Sequence, residues 1–183
     1  MGKQVLFIQG AGEGVHDRWD NRLVASLERE LGDGYQVRYP PMPGEDDPSY
    51  STWKAALIGE IELLDDGAIL VGHSFGGTVL LHVLADLSRK PRVDGLFVVA
   101  APFIGEGGWT IEDIAPCKDF SERLPPGCPV HLYHGADDAV VPIAHVHLYA
   151  KAIPLAIIRT LKGKDHQLND DMSAVAQDIR LLP

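Results

Sequence analysis

The pattern Gly-His-Ser-Phe-Gly at residues 72–76 constrains the fold of this chain more than any other feature of its sequence. An apolar run at residues 68–71 precedes it, and an apolar run with helical character follows at residues 78–84. A strand, Gly-x-Ser-x-Gly and a helix form the layout of a nucleophile elbow, a turn so sharp that the residues two before and two after the serine must lack side chains. The sequence therefore predicts that the Ser74 hydroxyl projects above the end of a sheet as a nucleophile.

Strands and helices alternate along the whole chain of 183 residues. The predicted strands are apolar runs at residues 5–8, 35–39, 68–72, 96–101, 129–134 and 155–161. Helices that alternate with strands, without repeated hairpins, are typical of an α/β fold whose parallel sheet is covered on both faces. We therefore predict one domain over residues 1–183. It has a mostly parallel six-stranded sheet and a short lid-like loop at residues 102–127, where periodicity is weak.

The apolar pattern also predicts how three of the helices begin and pack. The first helix has side chains spaced four apart on one stripe: Trp19, Leu23, Leu27 and Leu31. Such a stripe indicates that one face of the helix is buried. Ser49 and Ser173 each precede an apolar helical pattern, so we expect their side chains to cap the helices that follow.

The charge and composition of the chain exclude some classes of partner. The formal net charge is −10, and such a surface repels phosphate backbones and anionic lipids. No apolar stretch approaches the roughly 20 residues of a membrane span, and no signal-peptide cleavage pattern follows the N-terminus. Cys117 and Cys128 lie in no redox or zinc pattern, which favours two reduced thiols over a disulfide between them. We predict a cytoplasmic protein with no nucleic-acid or membrane partner.

Two further loops carry the residues that a catalytic serine requires. A serine hydroxyl is a poor nucleophile and needs an adjacent base, which a carboxylate orients. Asp137 and Asp138 follow one predicted strand, and His166 follows the last one. Because the carboxyl ends of parallel strands meet at the same edge of a sheet, we expect both loops to lie beside Ser74. Either aspartate satisfies this argument.

In these residues the chain resembles the small, capless serine hydrolases of the α/β hydrolase superfamily that are grouped with retinoblastoma-binding protein nine. The order Ser, acid, His along the chain is that of the superfamily. The Gly-x-x-Asp-x-x-Val-Pro pattern of the family matches residues 135–142 and selects Asp138, and its late Asp-His pair matches residues 165–166. The resemblance implies that Ser74 attacks an acyl carbonyl, that His166 transfers the proton and that Asp138 orients the imidazole.

The resemblance also implies an oxyanion hole, formed by the backbone N–H groups of Ala11 and Phe75. Members of the family usually have His-Gly after the first strand, whereas this chain has Gln9-Gly10. A different polar side chain therefore precedes the loop, while the backbone donors remain.

Other aromatic and polar residues have less specific patterns. Phe103 and Trp109, in the loop at residues 102–127, fit equally as the lining of an acyl pocket and as ordinary core aromatics. The acidic run at residues 45–47 indicates a solvated loop. The histidines share no metal-ligand spacing, so no metal site is predicted.

The sequence thus predicts a serine hydrolase that cleaves carboxylic esters or related small acyl substrates through an acyl-enzyme, without a cofactor. Two alternatives stay open. A thioester or amide hydrolase would use the same triad, because the pocket and not the triad selects the leaving group. A protein-interaction module on a hydrolase scaffold would bind a protein partner instead, although the binding motif Leu-x-Cys-x-Glu occurs around neither cysteine.

Overall fold

Six parallel strands form the sheet of this protein, whose computed structural model describes residues 2–183. The strands are β1 (Lys3–Ile8), β2 (Tyr35–Arg38), β3 (Ala68–His73), β4 (Val93–Val99), β5 (Val130–Gly135) and β6 (Ile157–Leu161). Their order across the sheet is β2-β1-β3-β4-β5-β6, and each neighbouring pair is parallel. The predicted α/β fold with a six-stranded sheet is confirmed.

Helices cover both faces of the sheet: α1 (Asn21–Leu31), α2 (Tyr50–Glu62), α3 (Ser74–Asp86), α4 (Phe120–Arg123), α5 (Ala144–Ala152) and α6 (Ser173–Arg180). Successive side chains of a strand point to opposite faces. In β1, Leu6 and Ile8 join the core formed with α2, α3 and α5, whereas Val5 and Phe7 join the core formed with α1 and α6. Within residues 2–183, none of the helices has both the length and the apolar character needed to cross a membrane.

The start of α1 differs from the prediction. His16–Asp20 form a π-helical turn ahead of α1, in which Trp19 is exposed and Asp20 is buried. Because a π-helical turn bonds residues five apart, the four-residue spacing from Trp19 does not place its side chain on the face used by α1. The rest of the predicted stripe is buried: Leu23, Leu27 and Leu31.

The two predicted helix caps have different outcomes. Ser49 is the N-cap of α2, where its hydroxyl oxygen accepts Thr52 N–H at 3.2 Å. Ser173 is instead the first residue of α6, and its own N–H donates to Asp171 Oδ1 at 3.0 Å. The prediction for Ser173 is wrong, because a carboxylate two residues earlier satisfies the N–H at this helix start.

The segment predicted as a lid-like loop, residues 102–127, packs largely on the body of the protein. It contains α4 and an isolated bridge between Ile104 and Trp109. Several of its side chains are buried in the same core as α3: Phe103, Ile104, Ile114, Cys117, Phe120 and Leu124. The interpretation of this segment as a lid stays a prediction.

The turn between β3 and α3 brings three stretches of backbone together. Ser74 has a φ of 50°, in the left-handed region that residues other than glycine rarely adopt. A Cβ on Gly72 would lie 2.6 Å from Gly77 Cα, and a Cβ on Gly76 would overlap the carbonyl oxygen of Gln9. Only glycine fits at residues 72 and 76, so the backbone of α3 packs directly on the end of β1.

We predict opposite effects of Gly→Ala substitutions at residues 76 and 59. Gly76→Ala should lower the free energy of unfolding by about 3 kcal/mol, because the added methyl group meets the backbone of β1. Gly59→Ala should raise it by about 0.5–1 kcal/mol, since this exposed position inside α2 has no atom within 4 Å of a Cβ. Urea unfolding of both variants measures the difference. Equal stability of the two variants would contradict the close contact at Gly76.

Candidate active site

Ser74 stands at the edge of the sheet where the parallel strands end. It follows β3 directly and is the first residue of α3, and its side chain is half-buried. The backbone of Ser74 is strained, with its φ in the left-handed region. Ser74 Oγ lies 3.0 Å from His166 Nε2, so the predicted nucleophile and base are within hydrogen-bond distance.

His166 connects the serine to a carboxylate. It lies in the loop after β6, and its Nδ1 is 2.8 Å from Asp138 Oδ2. Because a carboxylate oxygen only accepts, Nδ1 carries the proton and Nε2 faces the Ser74 hydroxyl with its lone pair. This tautomer is the one that can take a proton from the serine.

The carboxylate that contacts His166 belongs to Asp138, whose side chain is buried, whereas Asp137 is exposed. Asp138 Oδ1 accepts the N–H groups of Val140 and Val141 at 2.8 and 2.9 Å. Asp138 is thus fixed by two backbone N–H groups that donate to Oδ1, and its other oxygen, Oδ2, is left to accept a hydrogen bond from His166 Nδ1.

A second histidine supports the same carboxylate. His134, buried at the end of β5, has its Nε2 2.8 Å from the carbonyl oxygen of Val141 and 3.2 Å from Asp138 Oδ2. Burial opposes the ionisation of Asp138, but the hydrogen bonds from His134, His166 and Val141 N–H outweigh it, and the pKa of Asp138 lies well below its usual range. The carboxylate is therefore ionised at neutral pH.

Two backbone N–H groups lie in the segments that meet at the serine. The Phe75 N–H, in the first turn of α3, has no acceptor inside the helix. The loop after β1 reaches the serine through Gly10, since a Cβ on Gly10 would lie 3.0 Å from Ser74 Cβ. In the described part of the chain, Ala11 N–H and Phe75 N–H donate to no other group. Both are free to bind an oxygen atom.

Gln9 and Glu45 hold the loop after β1. Gln9 Oε1 accepts Met42 N–H at 3.0 Å, and Gln9 Nε2 donates to Glu45 Oε2. Gln9 therefore ties the loop to the segment ahead of α2. Both the oxygen and the nitrogen of the Gln9 amide are thus used in holding the loop.

The expectation of a solvated acidic loop at residues 45–47 is wrong for Glu45, whose carboxylate is bonded to the protein. Its carboxylate accepts Gly14 N–H at 2.8 Å and His16 N–H at 2.9 Å, and its carbonyl oxygen accepts Gly12 N–H at 2.6 Å. The next two aspartates are exposed, as expected. Glu45 thus acts as an internal acceptor for the loop that carries Ala11, and no local pattern distinguished it from its acidic neighbours.

Asp20 is a further site residue that sequence analysis missed. Its buried carboxylate accepts hydrogen bonds from Gly10 N–H at 2.7 Å and from Gln167 Nε2–H at 3.2 Å, and Oδ2 lies 2.9 Å from His73 Nδ1. These partners are 10, 147 and 53 positions away along the chain, so no spacing in the sequence marks them. His73, for which structural packing is predicted, is therefore held by a buried contact with Asp20.

Phe103 and Trp109 lie beside His145 at the start of the segment after β4. Phe103 is buried and its N–H donates to His145 Nδ1 at 2.8 Å, while the Trp109 ring meets the His145 ring edge-on at 5.4 Å. Phe103 lines a cavity of about 240 Å³, whose lining includes neither Ser74 nor His166. A role for these two aromatics in binding substrate stays a prediction. Among residues 2–183, no group of three or more His, Cys, Asp or Glu side chains is arranged to hold a metal ion.

Fold and site together define an α/β hydrolase, with a serine, a histidine and an aspartate at the carboxyl edge of a parallel sheet. The family model for serine hydrolases matches residues 5–171. The chain therefore belongs to the serine hydrolase family and is a hydrolase. A comparison with curated proteins gave no match.

Solved structures share the fold of this chain at low sequence identity. The ydeN gene product from B. subtilis superposes with a TM-score of 0.77 at 19% identity, over 98% of this chain and 97% of that one. The esterase domain of a Rhodothermus marinus protein gives 0.71 at 19% identity, over 97% and 84%. An α/β serine hydrolase without lid from Xanthomonas campestris gives 0.68 at 18% identity, over 98% and 82%. These similarities confirm the fold.

The loop carrying Ala11 should loosen when Glu45 is truncated. In Glu45→Ala the N–H groups of Gly14 and His16 lose a charged acceptor, and each such bond contributes about 1.5–3 kcal/mol. We expect amide hydrogen exchange at both positions to accelerate at least about tenfold. Asp46→Ala, at the exposed neighbour, is the matched control and should leave both rates unchanged. Unchanged protection in Glu45→Ala would contradict the assignment of Glu45 as the acceptor that holds this loop.

Proposed function

We propose that this serine hydrolase cleaves carboxylic esters or related small acyl compounds through Ser74, His166 and Asp138. The observation that carries the proposal is the continuous chain of hydrogen bonds from Ser74 Oγ to His166 Nε2, 3.0 Å, and from His166 Nδ1 to Asp138 Oδ2, 2.8 Å. A nucleophile, a base and an orienting carboxylate in this sequence are the arrangement that activates a serine for acyl transfer.

In the first half of the reaction, His166 Nε2 takes the hydroxyl proton as Ser74 Oγ attacks the carbonyl carbon. The ionised Asp138 stabilises the imidazolium that forms and keeps its Nδ1–H in place. The tetrahedral intermediate collapses as its bond to the leaving oxygen breaks, and that oxygen takes the proton from His166 Nε2. The alcohol leaves, and the acyl group stays on Ser74 as an ester.

In the second half, water enters where the alcohol left. His166 takes one proton of the water, and the oxygen attacks the acyl carbonyl of the Ser74 ester. The second tetrahedral intermediate releases Ser74 Oγ, which takes the proton back from His166. The products are a carboxylic acid and the free enzyme, so the site returns to its starting state.

The N–H groups of Ala11 and Phe75 would bind the oxyanion in both halves. Both donors are free of other partners, and the N-terminus of the 13-residue helix α3 adds a positive potential at the same place. A donor that is already oriented costs no reorganisation as charge develops, and the loss of one typically costs about 10²–10³-fold in rate.

The packing of residues 102–127 supports small substrates at an open site. This segment buries several of its side chains against the core of α3, as an ordinary part of the domain does, and a large separate cap would need a longer insertion. The similarity in fold to a serine hydrolase described as lacking a lid, and to an esterase domain, is in keeping with short acyl esters. Thioesters and amides fit the same triad, and comparing ester, thioester and amide of one acyl group separates them.

Hydrolysis of a chromogenic acetyl ester tests the proposal. We expect turnover by the native protein, and a fall of at least about 10⁴-fold in kcat in Ser74→Ala and in His166→Ala. Ser88→Ala removes an exposed serine just beyond α3 and should leave kcat unchanged. A fluorophosphonate probe should label the native protein and not Ser74→Ala. The proposal fails if the folded native protein is not labelled, or if Ser74→Ala is labelled as fast.

A further inference from the structure

A histidine–aspartate pair that shares no residue with the triad lies next to it, and its members are His73 and Asp20. The Asp20 side chain is fully buried and that of His73 is 1% exposed, and Asp20 Oδ2 is 2.9 Å from His73 Nδ1. The other ring nitrogen, His73 Nε2, is 3.0 Å from the carbonyl oxygen of His166. The residue just before the nucleophile therefore contacts the main chain of the residue that carries the base.

Both nitrogens of His73 face groups that can only accept a hydrogen bond. A neutral imidazole has one N–H, and its second nitrogen would direct a lone pair at one of these oxygens. An imidazolium donates to both. Burial disfavours the charge, but the carboxylate of Asp20 and the carbonyl of His166 favour it, and the pKa of His73 is raised above its ordinary value. The other ionisable groups near this ring are His166, with ring centres 4.9 Å apart, and Asp138.

Asp20 joins this pair to two other parts of the site. The carboxylate that holds His73 also accepts the N–H of Gly10, in the loop before Ala11, and the side-chain amide of Gln167, next to His166. The elbow, the loop after β1 and the loop after β6 therefore meet at one buried side chain. Burial opposes the ionisation of Asp20, but these partners, His73 above all, lower its pKa.

We propose that Asp20 and the imidazolium of His73 are a positioning pair, which fixes the main chain of His166 and of Gly10 relative to Ser74; this inference rests on the proposed function. The contact between His73 Nε2 and the His166 carbonyl ties the base to the residue adjacent to the nucleophile. The distance from Ser74 to His166 is then set by a buried bond and not by the partly exposed loop alone. Neither Asp20 nor His73 contacts the reacting atoms.

Asp20→Asn isolates the role of the charge. An asparagine oxygen in place of Oδ2 still accepts Gly10 N–H and His73 Nδ1–H, and its amide can donate to Gln167 if that side chain turns over. The buried Gln167 Oε1, which has no partner among the described residues, is available for this exchange. His73 then becomes neutral, and Nε2 directs a lone pair at the His166 carbonyl. The bond to the base is lost while the others persist.

Two substitutions of His73 separate its two contacts. In His73→Gln the amide nitrogen takes the place of Nε2 and still donates to the His166 carbonyl. In His73→Asn the amide nitrogen takes the place of Nδ1, so the contact with Asp20 persists and that with His166 is lost. A role in positioning the base therefore predicts more activity in His73→Gln than in His73→Asn, while a role limited to folding does not predict this order.

Steady-state kinetics on the chromogenic acetyl ester test the positioning pair. We expect kcat to fall about 10–100-fold in Asp20→Asn and His73→Asn, because a shift of about 1 Å in a catalytic group costs up to about 10²-fold, with KM changed less than about threefold. His73→Gln should recover most of kcat. Tyr133→Phe, which removes a buried hydrogen bond to Asp178, is the control and should lower the melting temperature with kcat unchanged.

Nitrogen NMR of the native protein tests the charge of His73 without relying on activity or on a variant that folds. We expect both ring nitrogens to be protonated at neutral pH. A single protonated nitrogen would overturn the proposal, and so would native kcat in folded Asp20→Asn and His73→Asn, or equal losses in the two His73 variants. An absence of ester hydrolysis by the native protein would count against the proposed function, whereas the NMR result bears on the buried pair alone.

Discussion

The contact between the backbone of Gly76 and the end of β1 is the constraint on which the rest of the site depends. Parallel pairing already sets the carboxyl ends of β1 and β3 side by side. The missing side chain at residue 76 lets α3 begin against the carbonyl oxygens of Ile8 and Gln9. As a result, the loop after β1 reaches Ser74, and the N–H groups of Ala11 and Phe75, which have no partner among the described residues, belong to the two segments in contact.

Carboxylates that are buried or half-buried hold the loops that this contact brings together. A buried charge is costly unless it is paired and hydrogen-bonded, and each carboxylate here has several donors. Asp138 holds His166, Glu45 holds the loop after β1, and Asp20 links that loop to the elbow and to the residue after His166. The loops are therefore held in place by hydrogen bonds to these carboxylates.

The fold and the predicted triad could be inferred from sequence because each depends on a local pattern. Apolar runs marked the strands, and the elbow and the loops after two later strands marked the nucleophile, acid and base. Asp20 and Glu45 could not be found in this way, since their partners are distant and backbone N–H groups have no sequence signature. Trp19 was misplaced because a π-helical turn breaks the helical period. The role of Phe103 depends on the shape of a bound substrate.

A crystal structure of the protein after reaction with an organophosphonate ester would show the nucleophile and the oxyanion donors together. We expect a bond from phosphorus to Ser74 Oγ and a phosphonyl oxygen within about 3 Å of the backbone nitrogens of Ala11 and Phe75. His166 should remain between the adduct and Asp138. A phosphonyl group on another residue, or an oxygen directed away from both backbone nitrogens, would contradict this expectation.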